Sequence, residues 1–361
     1  MSIDISELLL FAKNEGASDL HLSSGEPPII RVDGDIRKVD APPMVKEDVH
    51  TLLYDILNDR QRKIFEEKHE LDLSFNFKGV GRFRVNVFVQ SRGEAIVFRV
   101  IPDKIPALES LGLPPIVKEL TNRLRGLILV TGPTGSGKST TLASMLEHLN
   151  QRERLHIITI EDPIEFTYEP KNCLINQREL GPHTHSFAAA LRAAMREDPD
   201  VILVGEMRDL ETIGLAMTAV ETGHLVFATL HTSGAARSVN RIVDVFPPSQ
   251  QAQIRTVFSE AVTAVISQLL FKRREGKGRV SAVEVMVGIP AIRNLIREGK
   301  GGQITATMQT SRQFGMQTMD FALVELYKKD LVEKETILPY LSGPEAMSSL
   351  MEPVEEFEEL V

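Results

Sequence analysis

The clearest patterning along the chain lies in two runs, Gly81 to Gln90 and Glu94 to Ile101. In the first, Phe83, Val85, Val87 and Val89 alternate with Arg82, Arg84 and Asn86; in the second, Ile96, Phe98 and Val100 alternate with Val97 and Arg99. A period of two predicts half-buried strands. Aligning their apolar faces puts Arg82, Arg84 and Arg99 together on the polar face. On pattern alone, an ordinary solvated sheet face accounts for these arginines.

Upstream, Ile5, Leu8, Leu9 and Ala12 have helical spacing, with Gly16 as a stop. Asp19–Leu22 and Pro28–Val32 read as strands, and Asp33-Gly34 as a tight turn into Asp35–Val39. Lys46 to about His69 reads as helical, in one or two pieces. Pro102, Pro106, Pro114 and Pro115 mark a linker over 102–114. Beyond it strand and helix patterns alternate: 127–130, a helix after Lys138, 156–160, 187–195, 201–204, 210–221 and 225–230. That order predicts a parallel sheet with helices on both faces. After about Gln250 the chain reads as mainly helical. Residues 345–361 hold six glutamates and no Lys or Arg, which reads as a disordered tail.

The stretch Leu127 to Thr141 carries the strongest chemistry. A buried strand leads into Gly132-Pro133-Thr134-Gly135-Ser136-Gly137-Lys138-Ser139, and Thr140 continues into a helix. This is a full phosphate-binding loop pattern. Glycines let backbone N–H groups turn toward a polyphosphate, Lys138 supplies a positive charge, and Ser139 offers a hydroxyl to Mg²⁺. The helix points its positive end at the same anion.

Hydrolysis further requires a water-orienting group and charge stabilisation, expected at the carboxyl ends of sheet strands. Glu161, Asp162 and Glu165 follow the apolar run Ile157–Ile160; taken alone they also suit a solvated acidic loop. Glu206 follows Val201–Val204 and Gly205, and its longer side chain suits Mg²⁺ or a water. His231 ends the run Val226–Leu230, and His224 precedes it. Either histidine has a purely structural alternative.

Composition narrows the partners. Among 361 residues the net charge is −9, which argues against bulk attraction to nucleic acid or anionic lipid. One cysteine, Cys173, rules out an internal disulfide and a four-cysteine zinc site, and fits a reducing compartment. Ser2–Glu7 is acidic where a signal peptide would be basic, and no apolar run reaches 18 residues, so neither a secretory signal nor a membrane span is expected.

Together these motifs resemble the secretion ATPases of type II secretion and type IV pili. The likeness covers about Ile5 to Leu341. Gly132–Ser139 matches the Walker A box and Thr159–Glu165 the Asp box; Ile202–Glu206 matches the atypical Walker B and Gly223–Thr232 the His box. Ala17–Leu22 and Ala291–Glu298 are similar to the PilT-type retraction branch. The short N-terminal part and single cysteine differ from the extension branch.

The resemblance implies an α/β chain. Residues 1–101 would be a PAS-like α+β domain, 102–114 a hinge, and 115–344 a RecA-like P-loop ATPase domain with C-terminal helices. It implies a cytoplasmic homohexamer that hydrolyses ATP with Mg²⁺ and drives pilus retraction. Membrane association would be peripheral, through the inner-membrane pilus platform protein, with no direct nucleic-acid contact. Glu165 would activate water, Glu206 would support Mg²⁺ with Ser139, and His231 would sense the γ-phosphate. Arg82, Arg84 and Arg99 would reach nucleotide phosphates. Alternatives are an accessory retraction paralogue, a low-turnover nucleotide switch, and a DNA-transport ATPase.

Overall fold

The structure is a computed structural model that describes residues 4–102, 104–275 and 278–350. The chain divides into two compact units: Met1–Lys104 with Glu165–Thr167, and Ile105–Ile164 with Tyr168–Val361.

The first unit runs α1 (Ile5–Asn14), β1 (Asp19–Ser23), β2 (Ile29–Val32), β3 (Asp35–Lys38), α2 (Lys46–Ile56), α3 (Asp59–Lys68), β4 (Glu70–Phe77), β5 (Gly81–Gln90) and β6 (Gly93–Ile101). Its strands form one antiparallel sheet in the order β3-β2-β1-β6-β5-β4. Val32 pairs with Asp35 across Asp33 and Gly34, both at positive φ, as a two-residue hairpin requires. Asp4 caps α1 by accepting from Ser6 N–H, and Asn58 and Gln61 form a reciprocal capping box on α3.

The period-two face is buried: Phe83, Val85, Val87, Ile96 and Phe98 are fully covered and pack with Leu9, Leu20, Leu22 and Leu53. The Phe83 and Phe98 rings meet edge to face, 6.3 Å apart. Val89 lies at the strand end and is exposed. β4 is a further alternating strand, Leu71, Leu73, Phe75 and Phe77 against Asp72, Ser74 and Asn76, which the sequence analysis does not include. It forms the sheet edge beside β5.

The second unit runs α4 (Ile116–Leu120), β7 (Gly126–Thr131), α5 (Lys138–Arg152), β8 (His156–Glu161), β9 (Leu174–Glu179), α6 (Phe187–Ala194), β10 (Val201–Val204), α7 (Leu210–Glu221), β11 (Leu225–Leu230), α8 (Ala235–Asp244), α9 (Pro248–Ala261), β12 (Val262–Lys272), β13 (Arg279–Val287), α10 (Pro290–Arg297), α11 (Ile304–Thr310), α12 (Met319–Lys328), α13 (Lys334–Ile337) and α14 (Pro344–Ser349). The seven-stranded sheet has the order β13-β12-β7-β11-β10-β8-β9. All neighbours are parallel except β12 and β13. β7, β10 and β11 are buried along their whole length, as central parallel strands are.

After Gln250 the described chain is mainly helical, as expected, but two strands interrupt it. β12 adds to the sheet on the far side of β7, and β13 returns beside it. β12 is buried on both faces from Ala264 to Gln268, so it shows an apolar run rather than alternation, which periodicity does not separate from buried helix. In the stretch expected to be a disordered tail, α14 covers 344–349, and Leu350 packs with Leu269, Phe271 and Val332. Residues 351–361 lie outside the described ones. Among the described residues no helix is long and apolar enough to cross a membrane.

Candidate active site at the carboxyl edge of the parallel sheet

β7 has neighbours on both sides, β11 and β12, so the sheet grows outward in both directions from it. Ligands of such sheets sit beyond the carboxyl ends at this switch point. Thr131 pairs with Leu230, and Val204 with both Ala228 and Ile160. Gly132, His231, Gly205-Glu206 and Glu161 are therefore brought to one edge.

The loop after β7 is built around its glycines. A Cβ on Gly132 would lie 2.3 Å from the Gln268 carbonyl oxygen and 2.7 Å from Ser136 Oγ, so only glycine fits there. Gly135 and Gly137 take φ of +78° and +89°, which L-residues with a Cβ adopt poorly. Pro133, Thr134 and Gly135 are exposed, while Ser136 is buried with a hydroxyl that has no hydrogen-bond partner among the described residues. Lys138 begins α5; its Nζ donates to Gly132 O and Pro133 O, each at 2.9 Å. Ser139 and Thr140 occupy the first turn, half-buried. An open glycine cradle, a buried ammonium, an unsatisfied hydroxyl and a helix N-terminus fit a polyphosphate.

Glu206 stands at the end of β10. Gly205 N–H donates to Ile160 O at 2.7 Å, and a Cβ on Gly205 would come 3.0 Å from that oxygen. The glycine before the glutamate thus lets β10 close against β8. Thr229 Oγ1 donates to Gly205 O, and Met207 N–H donates to Thr229 O at 3.1 Å, so the glutamate is held from the β11 side too. Arg208 Nη2 lies 2.6 Å and His231 Nε2 3.3 Å from Glu206 Oε2. Burial alone would raise the Glu206 pKa; the Arg208 hydrogen bond, the Arg208 guanidinium charge and the neighbouring His231 imidazole outweigh it and hold the carboxyl below its ordinary value. The same contact raises Arg208.

Glu161 is buried, and its Oε1 accepts from Thr159 Oγ1 at 2.6 Å and Gln177 Nε2 at 3.2 Å. That carboxylate is engaged in joining β8 to β9. Asp162 is exposed and precedes a cis peptide bond to Pro163. Glu165 is exposed and groups with the first unit. His224 does not belong at this edge. It sits at the opposite end of β11, about 20 Å away at ~3.3 Å per residue. Its Nδ1 bonds Ala219 O at 2.8 Å and Thr222 Oγ1 at 3.1 Å, closing the end of α7.

Arg82, Arg84 and Arg99 lie in the first unit on the sheet face opposite its core. Arg84 pairs across the strands with Arg99. Such a like-charge pair is unfavourable unless acids intervene. Arg99 Nε donates to Asp19 Oδ1 at 2.9 Å, and Arg84 Nε lies 3.8 Å from Asp72 Oδ1.

Sequence reasoning missed Arg208 and Gln268. Arg208 stands two residues after Glu206, a local signal that was there to be read. Gln268 Nε2 donates to Thr141 Oγ1 of α5 at 2.9 Å; it lies on β12, whose strand character the pattern hid.

The family model for type II/IV secretion system protein matches residues 2–328. The type IV pilus retractation ATPase PilT of Pseudomonas aeruginosa is 57% identical over 343 residues, covering 95% of this chain and 99% of the relative. A twitching motility protein of Neisseria gonorrhoeae is 54% identical over 321 residues, covering 89% and 86%. The crystal structure of the pilus retraction motor PilT with bound ADP superposes with a TM-score of 0.87 at 49% identity, covering 95% of this chain and 98% of that one. The phosphate loop, the atypical Glu206 strand end and this likeness along nearly the whole chain agree, and the chain belongs to the type II/IV secretion system ATPases.

Proposed function

We propose that this protein is an ATP-hydrolysing motor that powers type IV pilus retraction, withdrawing the fibre by pilin disassembly and so driving twitching motility. The observation that carries the reading is the meeting of the Gly132–Ser139 cradle with the Glu206–His231 pair on one sheet edge. The relatives' names supply the pilus.

In this reading the loop N–H groups and Lys138 bind the β- and γ-phosphates of ATP. Attack of water on the γ-phosphorus breaks its bond to the β-phosphate oxygen, and Glu165 accepts the water's proton. Ser139 and Glu206 are the residues that would hold Mg²⁺, whose charge would offset that of the phosphates. His231 reports γ-phosphate loss to Glu206. Arg82, Arg84 and Arg99 supply cations for phosphate, a task that suits the permanent guanidinium charge.

Residues 1–101 are read as PAS-like and 115–344 as the RecA-like ATPase part, with 102–114 as the hinge. The working form is a cytoplasmic homohexamer that docks on the inner-membrane pilus platform protein. The test is complementation of a bacterium lacking its retraction motor. Wild-type chain is expected to restore twitching zones, and Lys138→Ala to leave them absent. Full twitching with Lys138→Ala would contradict the reading.

A further inference from the structure

Glu284 is a buried carboxylate that the hydrolytic reading does not use. It lies on β13 opposite Ser267 of β12 and is 8% exposed. Its two oxygens accept from separate backbone donors: Ala235 N–H at 2.6 Å and Met319 N–H at 3.0 Å. These residues begin α8 and α12. A carboxylate suits that place, because a helix start presents unpaired N–H groups and the positive end of its dipole. Burial raises the Glu284 pKa, and the two donors oppose that rise. An isolated buried acid is costly, so its placement between two helix starts calls for a reason.

The α8 end leads to the site. Three residues, Thr232, Ser233 and Gly234, separate His231 from Ala235. Gly234 N–H donates to Ser267 Oγ at 2.8 Å, and a Cβ on Gly234 would lie 3.6 Å from Glu284 Oε1. Ser238 Oγ donates to Gly234 O at 2.8 Å and lies 2.6 Å from Thr232 Oγ1 and 3.4 Å from Thr131 Oγ1. Thr131 immediately precedes Gly132. A chain of hydrogen bonds thus runs from α12 through Glu284 to the turn after His231, and on to the stem of the phosphate loop.

We propose that Glu284 is a positioning residue for His231: it holds Ala235 while Ser267 holds Gly234, fixing the short turn that aims the imidazole at Glu206 and tying that turn to the start of α12. The proposal rests on the reading of His231 as part of the hydrolytic site. With both ends anchored, three residues have little slack, since each spans at most ~3.6 Å. Releasing one anchor frees the imidazole by an ångström or so, and misplacement of about that size costs up to ~100-fold in rate. A helix cap with no positioning role would instead lower thermal stability and leave the folded protein's turnover alone.

The experiment is ATP-dependent phosphate release by the full chain, with Glu284→Gln, Ser267→Ala, His231→Ala and the two doubles, each also titrated with a fluorescent ADP analogue. His231→Ala is expected to slow kcat at least about tenfold, and each of the other singles about fivefold or more, with KM and ADP affinity within about threefold of wild type. In the His231→Ala background each should add less than about twofold, since residues acting through one group are not additive. Single variants that keep wild-type kcat while His231→Ala is slow would overturn the proposal alone, as would losses that multiply in the doubles. A His231→Ala protein with wild-type kcat would remove His231 from the site reading and the proposal with it. Should Glu284→Gln fail to bind the ADP analogue, Ser267→Ala decides by the same criteria.

Discussion

His231 Nε2 lies 3.3 Å from Glu206 Oε2, and Arg208 Nη2 reaches the same oxygen at 2.6 Å. One carboxylate oxygen at the end of β10 therefore faces two potential cations, one from its own loop and one from the end of β11. With Arg208 present the carboxyl stays ionised below the ordinary glutamate value of about 4.3.

The sign of the pH effect follows. A depressed acid pKa contributes stability above the unfolded value and loses it as pH falls through the folded value. In Arg208→Ala, burial is opposed only by His231, so the Glu206 pKa moves up. The acid limb of kcat against pH is expected to shift to higher pH in the variant. A limb that stays in place would show that Glu206 does not govern it.

Gly132 and Gly135 both sit at positive φ, but their surroundings differ. A Cβ on Gly132 meets backbone at 2.3 Å, and one on Gly135 meets nothing within 4 Å. In nucleotide-free protein Gly135→Ala should cost about 1 kcal/mol, the strain of the left-handed region alone. Gly132→Ala should cost at least about 1–3 kcal/mol more, because the backbone of β12 has to move. Chemical denaturation of the two variants side by side checks the order; equal midpoints would contradict the packing described here.

Thr229 joins the end of β11 to the loop carrying Glu206 through its bond to Gly205 O. Thr229→Val keeps the shape and removes the donor. The Gly205 carbonyl is half-buried, so losing its donor should cost about 1 kcal/mol, and the melting temperature should fall by a few degrees. Turnover should fall more than ADP affinity, because the phosphate loop is untouched. Unchanged melting and turnover together would mean the bond contributes nothing.

What could be read from the chain was what is local. Gly132–Ser139 needs only its own backbone and the next helix, so eight consecutive residues carry the signal. β5 and β6 were legible because Phe83, Val85 and Val87 face a core while Arg82 and Arg84 do not. β12 was not, because a strand covered on both faces looks like any apolar segment, and with it Gln268 and Ser267 went unseen. The partners of Glu284 stand 49 and 35 residues away in the chain, so only the sheet order brings them together. His224 shows the converse: a histidine inside the family motif turns out to close α7, at the far end of the strand from His231.

Coupling of ATP binding at the Gly132 loop to hydrolysis by Glu165 is tested by phosphate release from purified protein with Mg²⁺, wild type beside Glu165→Gln. Steady turnover is expected of the wild type, and the variant should bind ATP with similar affinity but release phosphate at least about 100-fold more slowly, as loss of a general base does. A Glu165→Gln protein as fast as wild type would contradict the assignment, and a wild type silent with Mg²⁺ would contradict the motor itself.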